Sequence, residues 1–315
     1  MLKYKADIRT LVFVILYFVF TTIAWVVFPI MPWYINAVIV LGVCWWSFFC
    51  AVIVHNTIHT PIFRSKTANK IFQVVLSFTY GHSVSGYVAG HNLSHHQNLA
   101  GLKDISRTSK LRFKWNFLNQ VLFFFITMFD ILNAEKRWAQ KMKKTNPKWY
   151  IQYRIELGIV LGIKFILLLI NWPAALLLIF LPHGYAQWGI VGTNYWQHDG
   201  CDKDHPYNHS RNFTNPFLNF FTFNNGYHGL HHDRPTLHWS LLPEIYEKEF
   251  APYVHPNLNR YWLSAYLWEV CIYPGKRINY LNEIISLPPK EQDKDEDWVN
   301  QTSENENLVH LGAEV

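Results

Sequence analysis

The sequence predicts an all-α integral membrane protein with four transmembrane helices arranged as two hairpins. Three observations carry that prediction. Of 315 residues, 50% are hydrophobic and only 16% charged, and a water-soluble surface normally carries more charge. The apolar residues gather into long runs, the first two uncharged, that come in pairs joined by tight turns. Lysine and arginine collect at the open ends of the pairs rather than at the turns. The same composition excludes a disordered chain, a collagen and an ordinary coiled coil. Cys44, Cys50, Cys201 and Cys271 form no Cys-x-x-Cys pair. That excludes a disulfide scaffold, a cysteine zinc site and a thioredoxin-like motif.

Residues 11–28 form the first run, closed by Pro29, Met31 and Pro32, and residues 33–54 form the second. At about 1.5 Å per residue, each is about long enough to cross a hydrocarbon layer of ~30 Å. Lys3, Lys5 and Arg9 precede the first run, and Arg64, Lys66 and Lys70 follow the second. Positive charge marks the cytoplasmic side, so the N-terminus and the end of the second run are assigned there. The second hairpin pairs residues 156–171 with 173–193 across Asn171-Trp172-Pro173. Tryptophan suits a membrane interface and proline the first turn of a helix. Lys136, Arg137, Lys141, Lys143, Lys144, Lys148 and Arg154 crowd its entry, which gives the same orientation. Lys164, inside the third run, reads as a snorkelling or bundle-facing lysine.

Two further apolar stretches do not read as spans. Residues 71–89 suit a short re-entrant or interfacial helix. Residues 115–132, broken by Asn116, Asn119, Gln120 and Asp130, suit an in-plane helix. The first run lacks a small-residue cleavage site, so no signal peptide is expected. From residue 288 the chain turns mixed and mostly acidic through Lys290, Glu291, Asp293, Lys294, Asp295, Glu296 and Asp297. Residues 288–315 therefore read as a disordered tail behind a membrane domain of residues 1–287.

Nine of the 16 histidines fall into a pattern. They are His55 and His59; His91, His95 and His96; His198; and His228, His231 and His232. Residues three or four apart share a helix face, so each group presents imidazoles to one side. Neutral imidazole is the commonest side-chain ligand for borderline metals. Nine exceed any single site, since a closed zinc site takes four, and they suit two ions. The Glu-x-x-His pairs of bundle di-iron proteins and the His-Glu-x-x-His zinc motif are both absent. The predicted topology brings all nine to one membrane face. Asp104, Asp199, Asp202, Asp204 and Asp233 are candidates to accept the second ring N–H, and Asn194, four residues before His198, can approach a metal directly or through water. His82, His183, His205, His209, His238, His255 and His310 read as ordinary hydrogen-bonded histidines, with His82 and His238 nearest the clusters.

His-x3-His at His55 and His59, His-x3-His-His at His91, His95 and His96, and His-x2-His-His at His228, His231 and His232 resemble the three histidine boxes of the membrane fatty acid desaturase superfamily. Asn194-x3-His198 is similar to the extra contribution that acyl desaturases carry before the last box. The resemblance implies two irons (Fe2+/Fe3+) held by histidines, with Asn194 as a weak ligand, and four transmembrane helices under a cytosolic helical cap carrying the di-metal site. It also implies dioxygen as co-substrate and a lipid or fatty acyl chain as substrate. Asn56 departs from the aspartate that many members have after the first box histidine. No His-Pro-Gly-Gly haem stretch is present, so electrons must come from a separate donor of ferredoxin or cytochrome b5 type. The basic stretch 136–148 suits positive-inside topology, or docking of an anionic headgroup or acidic donor.

The boxes alone do not fix the reaction. Fatty acid desaturation leads, and lipid or carotenoid hydroxylation and decarboxylation to a terminal alkene use the same site. A metal transporter would need ionisable groups along a path inside the spans, which are nearly clean of them. A haem electron carrier uses fewer histidines than this. No role in nucleic-acid binding is expected.

Overall fold

The computed structural model describes residues 1–301, and the chain divides into two compact units. The first comprises Met1–Ala89 and Lys136–Ile190; the second comprises Gly90–Glu135 and the described part of Val191–Ser303.

The first unit is helical. α1 (Asp7–Val27) and α2 (Trp33–His59) form the first hairpin. Their turn is closed by Asn36, whose Nδ2 donates to Phe28 O at 2.9 Å and Met31 O at 3.1 Å. α1 buries Phe13, Val14, Tyr17, Thr21 and Ala24 at helical spacing, while Ile8, Val12, Ile15, Val19, Ile23 and Val26 are exposed. A helix apolar on every side suits lipid on its outer face. α3 (Lys66–Tyr80) starts at Ser65, whose Oγ accepts from Ala68 N, and ends at Gly81 in the left-handed region. The short α4 (Val84–Val88) follows, capped by Ser83.

α5 (Asn116–Thr145) leads into α6 (Pro147–Ile170). The next run, Trp172–His198, comprises α7 (Trp172–Ala175), a π-helical turn (Leu176–Phe180) and α8 (Leu181–His198). Asn171 caps its start by accepting from Ala174 N. α2, α7 and the π turn share a core of Val40, Val43, Cys44, Ala174 and Leu178 against Ala24 of α1.

Among the described residues, four helices are long and apolar enough to cross a membrane: Asp7–Val27, Trp33–His59, Asn116–Thr145 and Trp172–His198. α5 thus meets that test where the sequence suggests an in-plane helix, because its 30 residues give an apolar first half room before the charged second half. α6 does not meet it, because Arg154, Glu156 and Lys164 fall within its length. Two of those charges are used inside the unit. Glu156 is buried and accepts Ser83 Oγ at 2.7 Å, Ser85 N at 2.8 Å and Ser85 Oγ at 3.0 Å. Lys164 Nζ donates to Gly81 O at 3.0 Å, as a bundle-facing lysine would.

In the second unit, β1 (Asn212–Phe213) pairs in parallel with β2 (Asn259–Arg260). Phe213 packs with Tyr266, Val270 and Cys271. α9 (Pro216–Phe221) and α10 (His228–Asp233) follow β1. The acidic run is docked within its described part. Asp293 meets Arg107, Ser109 and Arg112, and Trp298 and Val299 are buried. Residues 302–315, including His310, lie outside the described residues.

Candidate metal centre

A π-helix, Ala89–His96, carries the second histidine box. Its i→i+5 hydrogen bonding widens the turn, so the residue five positions on returns to the same side. The Nε2 atoms of His91 and His96 are accordingly 3.1 Å apart. His95 is directed elsewhere: its ring lies 4.8 Å from that of His198 and 4.9 Å from that of His232, centre to centre.

The histidines of the second unit therefore sort into two groups that cut across the boxes. His95, His198, His228 and His232 each offer a ring nitrogen, all within 4.8 Å of one another. His91, His96 and His231 form the other set, within the same limit. The sequence reading that each box presents its imidazoles to one side is corrected here. The π-helix separates His95 from His91 and His96. In α10, His228 and His232 are four residues apart and share a face, whereas His231 is turned away from it. In the first unit, His55 and His59 lie one turn apart in α2, with ring centres 5.4 Å apart. α2 continues past residue 54, so both are helical rather than beyond the helix end.

His198 Nε2 is 2.9 Å from His228 Nε2, which is 3.1 Å from His232 Nε2. Nitrogens around one ion at about 2.1 Å would stand about 3.0–3.4 Å from one another, so the set is close to ligating geometry. His95 adds the sharpest sign. Its Nδ1 is 2.9 Å from Asp104 Oδ2, and its Nε2 is buried without a hydrogen-bond partner. Buried polar atoms are almost always satisfied, and a metal-bound imidazole commits its other nitrogen to a carboxylate or carbonyl. His198 shows the same division of labour, with Nδ1 3.1 Å from the His209 carbonyl. Burial, then the neighbouring imidazoles, push His232 well below the ordinary histidine range.

Asp104 is the aspartate among the five candidates that reaches a box histidine. Burial alone would raise its pKa. The His95 ring, Ala100 N and Ser106 outweigh that and hold it below the usual carboxylate range. Asp199 pairs with Arg277, Asp204 with Lys203 and Asp233 with Arg234, while Asp202 Oδ1 accepts from Asp204 N. Asn56 Oδ1 lies 3.2 Å from His55 Nδ1, so the amide keeps the acceptor that an aspartate would supply and omits the charge. Asn194 Nδ2 donates to Ser106 O at 3.2 Å.

Five of the seven histidines read as ordinary are hydrogen-bonded. His183 Nε2 meets Tyr17 OH, His209 Nδ1 meets Ser210 Oγ and His238 Nδ1 meets Ser240 Oγ. His205 and His255 accept backbone N–H groups. The sequence reading missed two supports of the third box. Asn212 Oδ1 accepts Gly229 N at 2.8 Å, and Asn219 Oδ1 accepts Gly226 N at 3.0 Å.

The fatty acid desaturase family model matches residues 31–263, a stretch that contains every histidine of both groups. The chain belongs to the fatty acid desaturase family. That family is one of oxidoreductases, and membership implies a fatty acyl substrate. No curated relative matched the chain. Among the described residues, the chain is mostly helical, with four long apolar helices and histidine groups that form a possible di-metal site.

Proposed function

We propose that the protein is a dioxygen-dependent desaturase that introduces a double bond into a fatty acyl chain. Two iron ions are held on this reading, with His95, His198, His228 and His232 as one ligand set and His91, His96 and His231 in the other. The observation that carries it is the buried His95, whose Nδ1 is committed to Asp104 while Nε2 has no protein partner. An unactivated C–H bond offers neither an acidic proton nor a leaving group, and the bound metal pair supplies the dioxygen activation that its cleavage needs.

The chain's own part is positional. Asp104 fixes His95 as the tautomer with its proton on Nδ1, and the His209 carbonyl does the same for His198. Asn194, tied to Ser106 through Nδ2, stands as a weak or water-mediated ligand through its oxygen. Removing two hydrogens from adjacent methylenes while dioxygen becomes two waters consumes two further electrons and two protons. A separate ferredoxin or cytochrome b5 type donor provides the electrons.

The membrane crossings on this reading are α1, α2, α6 and Trp172–His198, with α5 in the plane. What supports α6 is its exposed Ile159, Leu161, Phe165, Ile166, Leu169 and Ile170, together with the internal use of Glu156 and Lys164. The basic flanks then assign both termini and the metal centre to the cytoplasmic side.

Expression in a host of known lipid composition, followed by mass spectrometry of the acyl and hydrocarbon pools, tests the reaction. The expected product is an acyl chain two mass units lighter at unchanged length. Hydroxylated lipid, an alkene one carbon shorter, or an unchanged pool contradicts it.

A further inference from the structure

The acidic segment at the end of the described chain grips the loop that carries Asp104. Asp293 bridges three side chains of that loop: Oδ1 accepts Arg107 Nε and Ser109 Oγ, each at 2.9 Å, and Oδ2 accepts Arg112 NH2 at 2.9 Å. Its carbonyl accepts Arg107 NH2 at 2.7 Å. Asp295 pairs with Arg107 and with Lys110. Further along, Glu296 N donates to Leu102 O at 2.9 Å, and Trp298 is 1% exposed. Between these anchor points lies Asp104, whose own carbonyl accepts the Arg107 backbone N–H at 3.2 Å.

The loop has one short turn at Thr108–Lys110 and otherwise only single backbone bonds three residues apart, Gly101 N to Asn98 O at 2.7 Å, Asp104 N to Gly101 O at 3.0 Å and Arg107 N to Asp104 O at 3.2 Å. Its shape is set by what holds it. On one side, Asp104 takes His95 Nδ1, Ala100 N and Ser106 N. On the other, Arg107, 3% exposed, is satisfied by the acidic segment. A buried guanidinium stripped of its carboxylates is strongly unfavourable, so losing the segment would reshape the loop rather than merely uncover it.

We propose that residues 288–299 are a strap that positions the His95 ligand, acting from Asp293 through Arg107 and Asp104. Asp293 is a positioning residue, not a catalytic one. The proposal rests on the metal reading above. It explains why an acidic run that reads as a disordered tail in the sequence is folded onto the most basic part of this loop.

The test uses the full-length protein in detergent, loaded with Co2+ as a spectroscopic probe of the histidine sites, and the variants Asp293→Asn, Asp293→Glu and a chain ending at residue 287. Two quantities are read: the rate at which a chelator removes Co2+, and amide hydrogen exchange over residues 100–107. Asp293→Asn is expected to speed both, with metal loss about tenfold faster, at the low end of the range for residues supporting a ligand. Asp293→Glu is expected to restore most of the difference. If exchange speeds up without faster metal loss, the positioning role is overturned. If Asp293→Asn changes neither, the strap itself is overturned, and this point variant decides even where the shortened chain does not fold. A wild-type chain that takes up no Co2+ ends the metal reading, while the exchange measurement still decides whether the strap holds the loop.

Discussion

His95 Nδ1 and Asp104 Oδ2 are 2.9 Å apart, and both side chains are 1% exposed. This pair orients one imidazole and leaves its Nε2 facing the other three histidines of its group. Replacing Asp104 with asparagine keeps an acceptor and removes the charge. We expect metal affinity to fall about 10–100-fold, with a larger fall for Asp104→Ala, where the ring is also free to turn. Isothermal titration with Co2+ measures it, and unchanged affinity in Asp104→Ala would remove the pair from the account.

The split of the second box gives a sorting prediction. His91→Ala and His96→Ala should perturb the same metal position, and His95→Ala the other. In the Co2+-loaded protein, the ligand-field bands lost in the first two variants should coincide and differ from those lost in the third. If His91→Ala and His95→Ala behave alike, the box is working as an ordinary helix face.

Gly226 and Gly229 flank the start of α10. A Cβ at Gly226 would stand 2.1 Å from the Phe213 carbonyl oxygen; one at Gly229 would stand 2.7 Å from the Phe250 ring and 3.2 Å from Asn212 Oδ1. Overpacking of this kind costs about 1–3 kcal/mol. Gly226→Ala should be the worse of the two, because backbone yields less readily than a ring. Thermal unfolding and metal content should decline together in both variants, and an alanine at 226 with wild-type Tm would contradict the packing described.

Glu156 offers a control, because its hydrogen-bond partners are Ser83, Ser85 and Gln152 rather than box histidines. Glu156→Ala strands the Ser83 and Ser85 donors, at a cost on the order of 3 kcal/mol, since each buried donor left unmade costs ~1–3 kcal/mol. Glu156→Gln keeps much of the acceptor capacity and should lose less. Stability in detergent should drop while the metal content of the folded fraction stays at two. Loss of metal in step with Glu156 would show that this buried group serves the metal centre.

Much of this was legible from residue patterns alone. The uncharged run closed by Pro29 and Pro32 marks the first hairpin, and the spacing of His55, His59, His228 and His232 survives folding as i,i+4 pairs. The rest depends on information that local spacing does not hold. An α-helical period was assumed at residues 91–96, and the π-helix reassigns His95. Five aspartates looked equivalent until the fold brought Asp104 alone to a box histidine. The contact between Asp293 and Arg107 joins residues 186 apart in the chain, so the acidic run read as a disordered tail. The sequence showed the apolar second half of α6 but not the partners of Glu156 and Lys164, which lie in the segment after α3.

The most direct test is the metal content and X-ray absorption spectrum of the purified, reconstituted protein. Two iron ions per chain, with first shells of imidazole nitrogen and light oxygen donors, are the predicted result. Less than one ion per chain at saturation, or sulfur in the first shell, would contradict the claim that these histidines form a pair of metal sites.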